Sequence, residues 1–116
     1  MTPTSTNRVT TLIATWLLVE GVWGLFSRDV FGFLTTNRVH AVIHLGLSLW
    51  GLKAAFQGGA RSFLFAVGVI LLLVGALYFI PGGRALTDFL ALNRAGAVVN
   101  IVLAVGALFC GAKCGR

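Results

Sequence analysis

The sequence predicts an all-α integral membrane protein, a four-helix bundle built from two tandem αα-hairpins. Three observations predict this fold class. Of the 116 residues, 58% are hydrophobic and only 10% are charged, whereas a soluble domain carries roughly 25% charged residues. The apolar residues fall into four blocks, each about as long as a bilayer is thick, with short charged breaks between them. Finally, a pattern of residues recurs after an offset of 56 positions.

We expect one membrane domain over residues 1–116, beginning with a short disordered tail at residues 1–7. The first block is too long for the apolar core of a signal peptide and contains Glu20, so we interpret it as a retained span. Asn37 and Asn93 are good caps for the second and fourth spans, and Pro81-Gly82-Gly83 ends the third. The predicted spans cover about residues 9–26, 38–56, 62–80 and 94–112.

With an offset of 56 residues, Asn37-Arg38 corresponds to Asn93-Arg94. With an offset of 55 residues, Glu20 corresponds to Gly75. A seam of small or polar residues, which lets helices approach closely in a membrane, recurs as well. Because a repeat of two spans preserves orientation, a pseudo-two-fold axis along the membrane normal should relate the two halves. We expect the second and fourth spans to meet near that axis. Their helix-packing residues are Ala41, His44, Ser48 and Gly51 in the second span, and Ala97, Asn100, Ala104 and Ala107 in the fourth.

The formal net charge of +6 does not indicate a nucleic-acid partner. The nine lysines and arginines are dispersed at the ends of the apolar blocks, without the clustered basic footprint of nucleic-acid binding. We expect them to contact membrane lipids, anionic headgroups above all. Five of them lie on the side of the termini and four on the other side, a slight majority that favours termini in the cytoplasm. The expected location is a bacterial cytoplasmic membrane or an internal membrane derived from it.

Cys110 and Cys114 are four residues apart near the end of the last block. This is the spacing of neighbours on a helix and not the Cys-x-x-Cys of redox and zinc sites. We expect two reduced thiols near the cytoplasmic face, in preference to a disulfide or a metal-binding pair.

The candidate site is a layer of polar residues within the spans. Glu20 is the only acid inside a span, and an intramembrane carboxylate is a functional hypothesis by default. At 1.5 Å per residue, Glu20 lies about 9 Å before the end of its span and His44 about 10 Å after the start of the next. His40 lies one turn nearer the surface, and the repeat puts Asn100 level with His44. We therefore expect these four side chains to share one layer.

Several interpretations of this layer remain open. Glu20 and His44 could simply hydrogen-bond each other and hold the bundle in register. Alternatively, His40, His44 and Glu20 form a ligand set for zinc or another divalent metal ion. His40 or His44 could also ligate a haem or a chlorophyll-type pigment through a single imidazole, although Asn100 stands where a second, opposed histidine would be needed. A proton relay through Glu20 and His44 is a further alternative.

No catalytic residues are predicted. Ser48 lies in the seam without a nearby base on its helix, and neither a phosphate-binding loop nor a Ser-His-Asp set can be assembled. We therefore expect a protein that is not an enzyme. The first functional hypothesis is a structural or accessory subunit that packs against larger membrane proteins, and the alternative is a protein that binds a metal, haem or pigment.

The stretch FGFLTTNRVHAVIHLG, residues 31–46, resembles the signature of a family of small bacterial four-span membrane proteins known only as a domain of unknown function. The motif is Asn-x-x-His-x-x-x-His at the start of the second helix, here Asn37, His40 and His44. The position after the first histidine, often Asn in that family, is Ala41. The resemblance implies the four-span fold and points to the same histidines, and it implies no activity.

Overall fold

The computed structural model describes residues 5–114, which form two antiparallel helical hairpins. In the first hairpin, two short antiparallel strands connect two long helices; the elements are α1 Ser5–Phe26, β1 Asp29–Val30, β2 Leu34–Thr35 and α2 Arg38–Gln57. In the second, a 3₁₀ turn and a short helix make the connection; the elements are α3 Ala60–Phe79, the turn Pro81–Gly83, α4 Arg84–Phe89 and α5 Arg94–Lys113.

The four long helices are each long and apolar enough to cross a membrane, which supports an integral membrane protein. Their bounds agree with the predicted spans to within two residues, except at the start of α1. The predicted tail is wrong for residues 5–7, which are helical, and residues 1–4 lie outside the described part of the chain. The end of α5 lies close to this first turn, with 3.9 Å between the sulfur of Cys110 and the carbonyl oxygen of Ser5.

Local sequence sets where the helices start and stop. The Asn37 and Asn93 side chains accept hydrogen bonds from the third backbone N–H beyond them, as N-cap residues do. The break between α2 and α3 consists of Gly58 and Gly59, with φ of 103° and 95°. Glycine adopts such values without steric cost, so the chain can reverse within two residues.

Small residues bring the two helices of each hairpin together. A Cβ atom added at Gly21 of α1 would lie 2.7 Å from Cγ of Leu45 and 3.1 Å from the carbonyl oxygen of Ala41. A Cβ added at Gly75 of α3 would lie 2.9 Å from the carbonyl oxygen of Ala97. The seams on α2 and α5 therefore face α1 and α3, within their own hairpins.

The expectation that the second and fourth spans meet is consequently wrong. Among the described residues, no Cα atom of α2 comes within 8 Å of a Cα atom of α5. Close approach requires glycine opposite the alanine-rich seams, and the matching glycines lie on α1 and α3. The two hairpins instead share an apolar core contributed mainly by α1, α3 and α5, which includes Leu17, Phe63, Leu64, Val67, Leu71 and Ala104.

The end of the bundle that carries the two connections is tied across the hairpins. Nδ2 of Asn37 donates to the carbonyl oxygen of Phe89 at 2.7 Å, and Nδ2 of Asn93 donates to that of Phe33 at 2.8 Å. Each cap residue thus holds the connection of the opposite hairpin. The polar layer lies directly beneath this closed end.

Candidate functional site

The Glu20 carboxylate and the His44 imidazole form a buried pair between α1 and α2. Oε2 of Glu20 lies 2.8 Å from Nδ1 of His44, and the two side chains are only 10% and 4% exposed. A polar group inside a membrane protein needs such a partner. The pairing agrees with the interpretation that Glu20 and His44 hydrogen-bond each other.

His40 connects the layer to the second hairpin. Its Nδ1 lies 3.1 Å from the carbonyl oxygen of Leu90, the residue that follows α4. A carbonyl oxygen only accepts, so Nδ1 carries the hydrogen, and in the neutral ring Nε2 is an acceptor. The His40 ring also meets His44 edge-on, with 4.3 Å between the ring centroids.

Asn100 of α5 is the fourth member of the layer. It is only 3% exposed, and its Nδ2 has no hydrogen-bond partner in the described part of the chain. Asn100 shares a small cavity of about 10 Å³ with Glu20 and His40. The predicted layer is therefore assembled, with Asn100 reaching it from the second hairpin.

A larger cavity of about 240 Å³ opens beside the two histidines, between α2 and α3. His40, His44 and Asn100 are among the residues that line it. The other walls are apolar side chains of both hairpins, among them Ile43, Leu47, Ile70, Val74 and Phe89. This cavity offers room for an apolar group next to the imidazoles.

In the structure, Glu20 contacts the Nδ1 atom of His44, which is the position of a group that orients a histidine and not of a third metal ligand. Within residues 5–114, no three His, Cys, Asp or Glu side chains are grouped so that they could hold a metal ion. Both Nδ1 atoms are engaged, that of His40 with Leu90 and that of His44 with Glu20. In metalloproteins, such carbonyl and carboxylate partners orient a ligating histidine from behind. The ring nitrogens left free are therefore the two Nε2 atoms.

The predicted helix-packing residues are all buried, but their contacts are not the expected ones between α2 and α5. Oγ of Ser48 donates to the carbonyl oxygen of Leu45 at 2.8 Å and is buried, so it is no nucleophile exposed to a substrate. A Cβ atom added at Gly51 would lie 2.6 Å from the Phe63 ring and 2.8 Å from Cβ of Ala14, so α2 approaches both α1 and α3 there. The seam alanines of α5, Ala97, Ala104 and Ala107, are fully buried.

Sequence reasoning missed the backbone carbonyls that join the two hairpins at and above the layer. The Leu90 carbonyl accepts a hydrogen bond from His40. The Phe33 carbonyl accepts one from Asn93, and the Phe89 carbonyl accepts one from Asn37. The repeated asparagines were the available signal, because an asparagine cap has a free Nδ2 that can donate elsewhere.

The expectation of two reduced thiols is wrong: Cys110 and Cys114 form a disulfide. Their Cα atoms are 4.6 Å apart, within the range that a disulfide bridges. Helical i,i+4 spacing is compatible with both states, so the sequence did not decide between them. Arg61 lies beside the bridge and donates to the carbonyl oxygens of Gly111 and Cys114.

The chain matches the model of a known protein family. The family described as Domain of unknown function (DUF4383) matches residues 7–112. No match was found among curated proteins or among solved structures. The family covers all four long helices and the polar layer, and its description assigns no activity.

Proposed function

We propose that this chain, which belongs to the DUF4383 family, is a non-enzymatic structural subunit that packs against a larger membrane protein. One observation carries the proposal. Side-chain hydrogen bonds fasten the two hairpins to each other, from Asn37, Asn93 and His40 to carbonyls of the opposite hairpin. Thr35 adds a fourth such bond, from Oγ1 to the carbonyl oxygen of Ala91 at 2.7 Å. The long helices leave large apolar side chains exposed, and these offer a surface for a membrane partner. Its proposed location is a bacterial cytoplasmic membrane or an internal membrane derived from it.

The proposal includes two tandem hairpins related by a pseudo-two-fold axis along the membrane normal. The reciprocal bonds of Asn37 and Asn93 support it, since both donor and acceptor positions differ by 56 residues. The buried positions of α1 match those of α3 best with an offset of 54 residues. With this offset Gly21, which lies against Ala41, corresponds to Gly75, which lies against Ala97. With this offset Glu20 corresponds to Val74, whereas the sequence repeat alone predicted that it corresponds to Gly75. Only the first hairpin then carries an acid in the layer.

The partner can be identified by photo-crosslinking from lipid-facing positions in intact cells. Suitable positions are Leu12 on α1, Leu49 on α2 and Val102 on α5, which are 70%, 64% and 65% exposed. A structural subunit should crosslink to one protein from one or two of these helices and co-purify with it in a fixed ratio in mild detergent. A chain that crosslinks only to lipid from all three positions and runs alone at native expression would contradict the proposal.

A second candidate function is binding of a haem or chlorophyll-type cofactor, and the cavity beside His40 and His44 favours it. A macrocycle supplies four ligands of its own, so one imidazole suffices, whereas protein zinc sites use three or four side chains. The cavity places apolar walls next to the imidazoles, as the edge of such a ring requires. A macrocycle therefore needs fewer ligands from this layer than a bare divalent metal does.

Absorption spectra and elemental analysis of the purified protein test this candidate. A Soret or pigment band that is lost in His44→Ala but kept in Ser48→Ala would support it. A colourless, metal-free protein, purified from cells that make both cofactors, would rule it out and leave the structural role untouched.

Membrane lipids are the other partner that we propose. Arg28 and Arg38 line a cleft of about 450 Å³ where α1 ends and α2 begins, the level of the headgroups. Neither forms an ion pair with any described residue, whereas Arg84 in the second hairpin pairs with Asp88 at 3.6 Å and covers the Tyr78 ring. The cleft therefore suits the phosphate of an anionic lipid.

A further inference from the structure

The small cavity in the polar layer has the size and the lining of a site for a single hydrogen-bonding molecule. Its volume of about 10 Å³ corresponds to roughly one water molecule. Two threonines, Thr35 and Thr36, line it on the side of the β-hairpin. Three further polar side chains that line it come from three helices: Glu20 from α1, His40 from α2 and Asn100 from α5. Thr36, Val30 and Leu34 close it towards the β-hairpin.

Each of the three side chains has unused hydrogen-bonding capacity. Nδ2 of Asn100 is a buried donor that has no acceptor among the described residues. His40 donates through Nδ1 to Leu90, which leaves Nε2 as an acceptor. A carboxylate offers about four lone-pair sites, and the contact with His44 uses one of those on Glu20. One donor and two acceptors thus border a cavity of molecular size.

We propose that this cavity binds one water molecule, which accepts from Nδ2 of Asn100 and donates to the Glu20 carboxylate and to Nε2 of His40. A water has two hydrogens to donate and accepts as well, so it matches this set, and buried waters typically make about three bonds. The neighbouring cavity of about 240 Å³ does not offer Asn100 a partner, because its remaining walls are apolar side chains.

The water extends the Glu20–His44 pair into one hydrogen-bonded chain that runs from His44 through Glu20 and the water to His40. The chain includes both hairpins and ends at the Leu90 carbonyl. This goes beyond a structural role, since a continuous chain of imidazole, carboxylate and water is also a path along which a proton can move.

Proton-detected solid-state NMR of the wild-type protein in lipid bilayers tests the site directly. The Asn100 side-chain amide, assigned through its loss in Asn100→Leu, should show a cross-peak to a long-lived water, and so should the His40 ring. A cross-peak to lipid methylene protons in its place, or none at all, would overturn the proposal.

Thermal unfolding of Asn100→Leu gives an independent test whose sign is decisive. With the water bound, leucine strands the acceptors that the water served, and the Tm should fall by about 5 °C. Without it, leucine removes an unsatisfied buried donor, and the Tm should stay equal or rise, which would overturn the proposal. Val102→Leu, on the lipid-facing side of the same helix, is the matched control and should leave the Tm unchanged.

Discussion

Asn37 and Asn93 perform the same two tasks at corresponding positions in the two hairpins. Each accepts a backbone N–H with its side-chain oxygen and so begins a helix, and each donates its Nδ2 to a phenylalanine carbonyl of the other hairpin. Helix initiation and assembly of the hairpins therefore depend on the same side chains.

The two tasks of Asn37 can be separated by substitution. Serine caps a helix about as well as asparagine but is too short to reach Phe89, whereas alanine loses both bonds. We expect Asn37→Ala to lower the free energy of unfolding by about 2 kcal/mol and Asn37→Ser by about half of that. Thermal unfolding followed by circular dichroism in detergent measures both. An Asn37→Ser variant as stable as the wild type would mean that the bond to Phe89 contributes nothing.

The Glu20–His44 pair should show strong coupling. Removing one partner leaves the other buried and unpaired, so Glu20→Leu and His44→Leu should each cost about 3 kcal/mol. The double variant leaves neither member of the pair unpaired, and its cost should be smaller than the sum of the two by about 1–2 kcal/mol. Equilibrium unfolding in mixed micelles of the wild type, the two single variants and the double variant completes this double-mutant cycle. Strictly additive losses would show that the 2.8 Å contact has no energetic weight.

Gly75 and Gly106 are both helical glycines but should respond to alanine with opposite signs. A Cβ atom at Gly75 would meet Ile101 at 2.7 Å and the Ala97 carbonyl oxygen at 2.9 Å, so α3 and α5 would be pushed apart. We expect Gly75→Ala to cost about 1–3 kcal/mol. Nothing lies within 4 Å of a Cβ atom at Gly106, where alanine should stabilise the helix by about 0.5–1 kcal/mol. Equal effects at the two positions would contradict the packing described here.

Lipid binding should depend on Arg28 and Arg38 more than on Arg84. Native mass spectrometry of protein from nanodiscs should show a retained anionic phospholipid, and Arg28→Gln with Arg38→Gln should reduce its occupancy several-fold. Arg84→Gln is the matched control, since this side chain is already engaged with Asp88 and Tyr78. Equal losses in both proteins would indicate a general attraction to charge without a specific cleft.

The features that sequence predicted well are those that local chemistry determines. The starts of α2 and α5 follow from Asn37 and Asn93, because a cap acts on the next three residues. The shared depth of Glu20 and His44 follows from the fixed rise of a helix and from the short connection between the two spans. Both predictions required no knowledge of how the hairpins pack.

The features that the sequence left undetermined depend on packing between distant segments. A seam of small residues predicts close approach but does not name the partner helix, and the seams on α2 and α5 proved to face α1 and α3. The Leu90 carbonyl became a partner of His40 only through the position of α4. No side-chain pattern encodes a backbone acceptor of this kind.

The Cys110–Cys114 disulfide has a consequence for how the protein is inserted. The bridge lies at the end of the bundle that also carries Ser5, and α2 and α3 are joined at that same end through Gly58. Disulfides persist in oxidising compartments and are rare in the cytosol, so this end should face away from the cytoplasm. The distribution of basic residues, five on the side of the termini and four on the other, favours the reverse orientation, but it depends on a difference of one residue. A membrane-impermeant maleimide should therefore label Gln57→Cys in intact cells and leave Phe33→Cys unlabelled, whereas the opposite pattern would place the bridge on the reducing side.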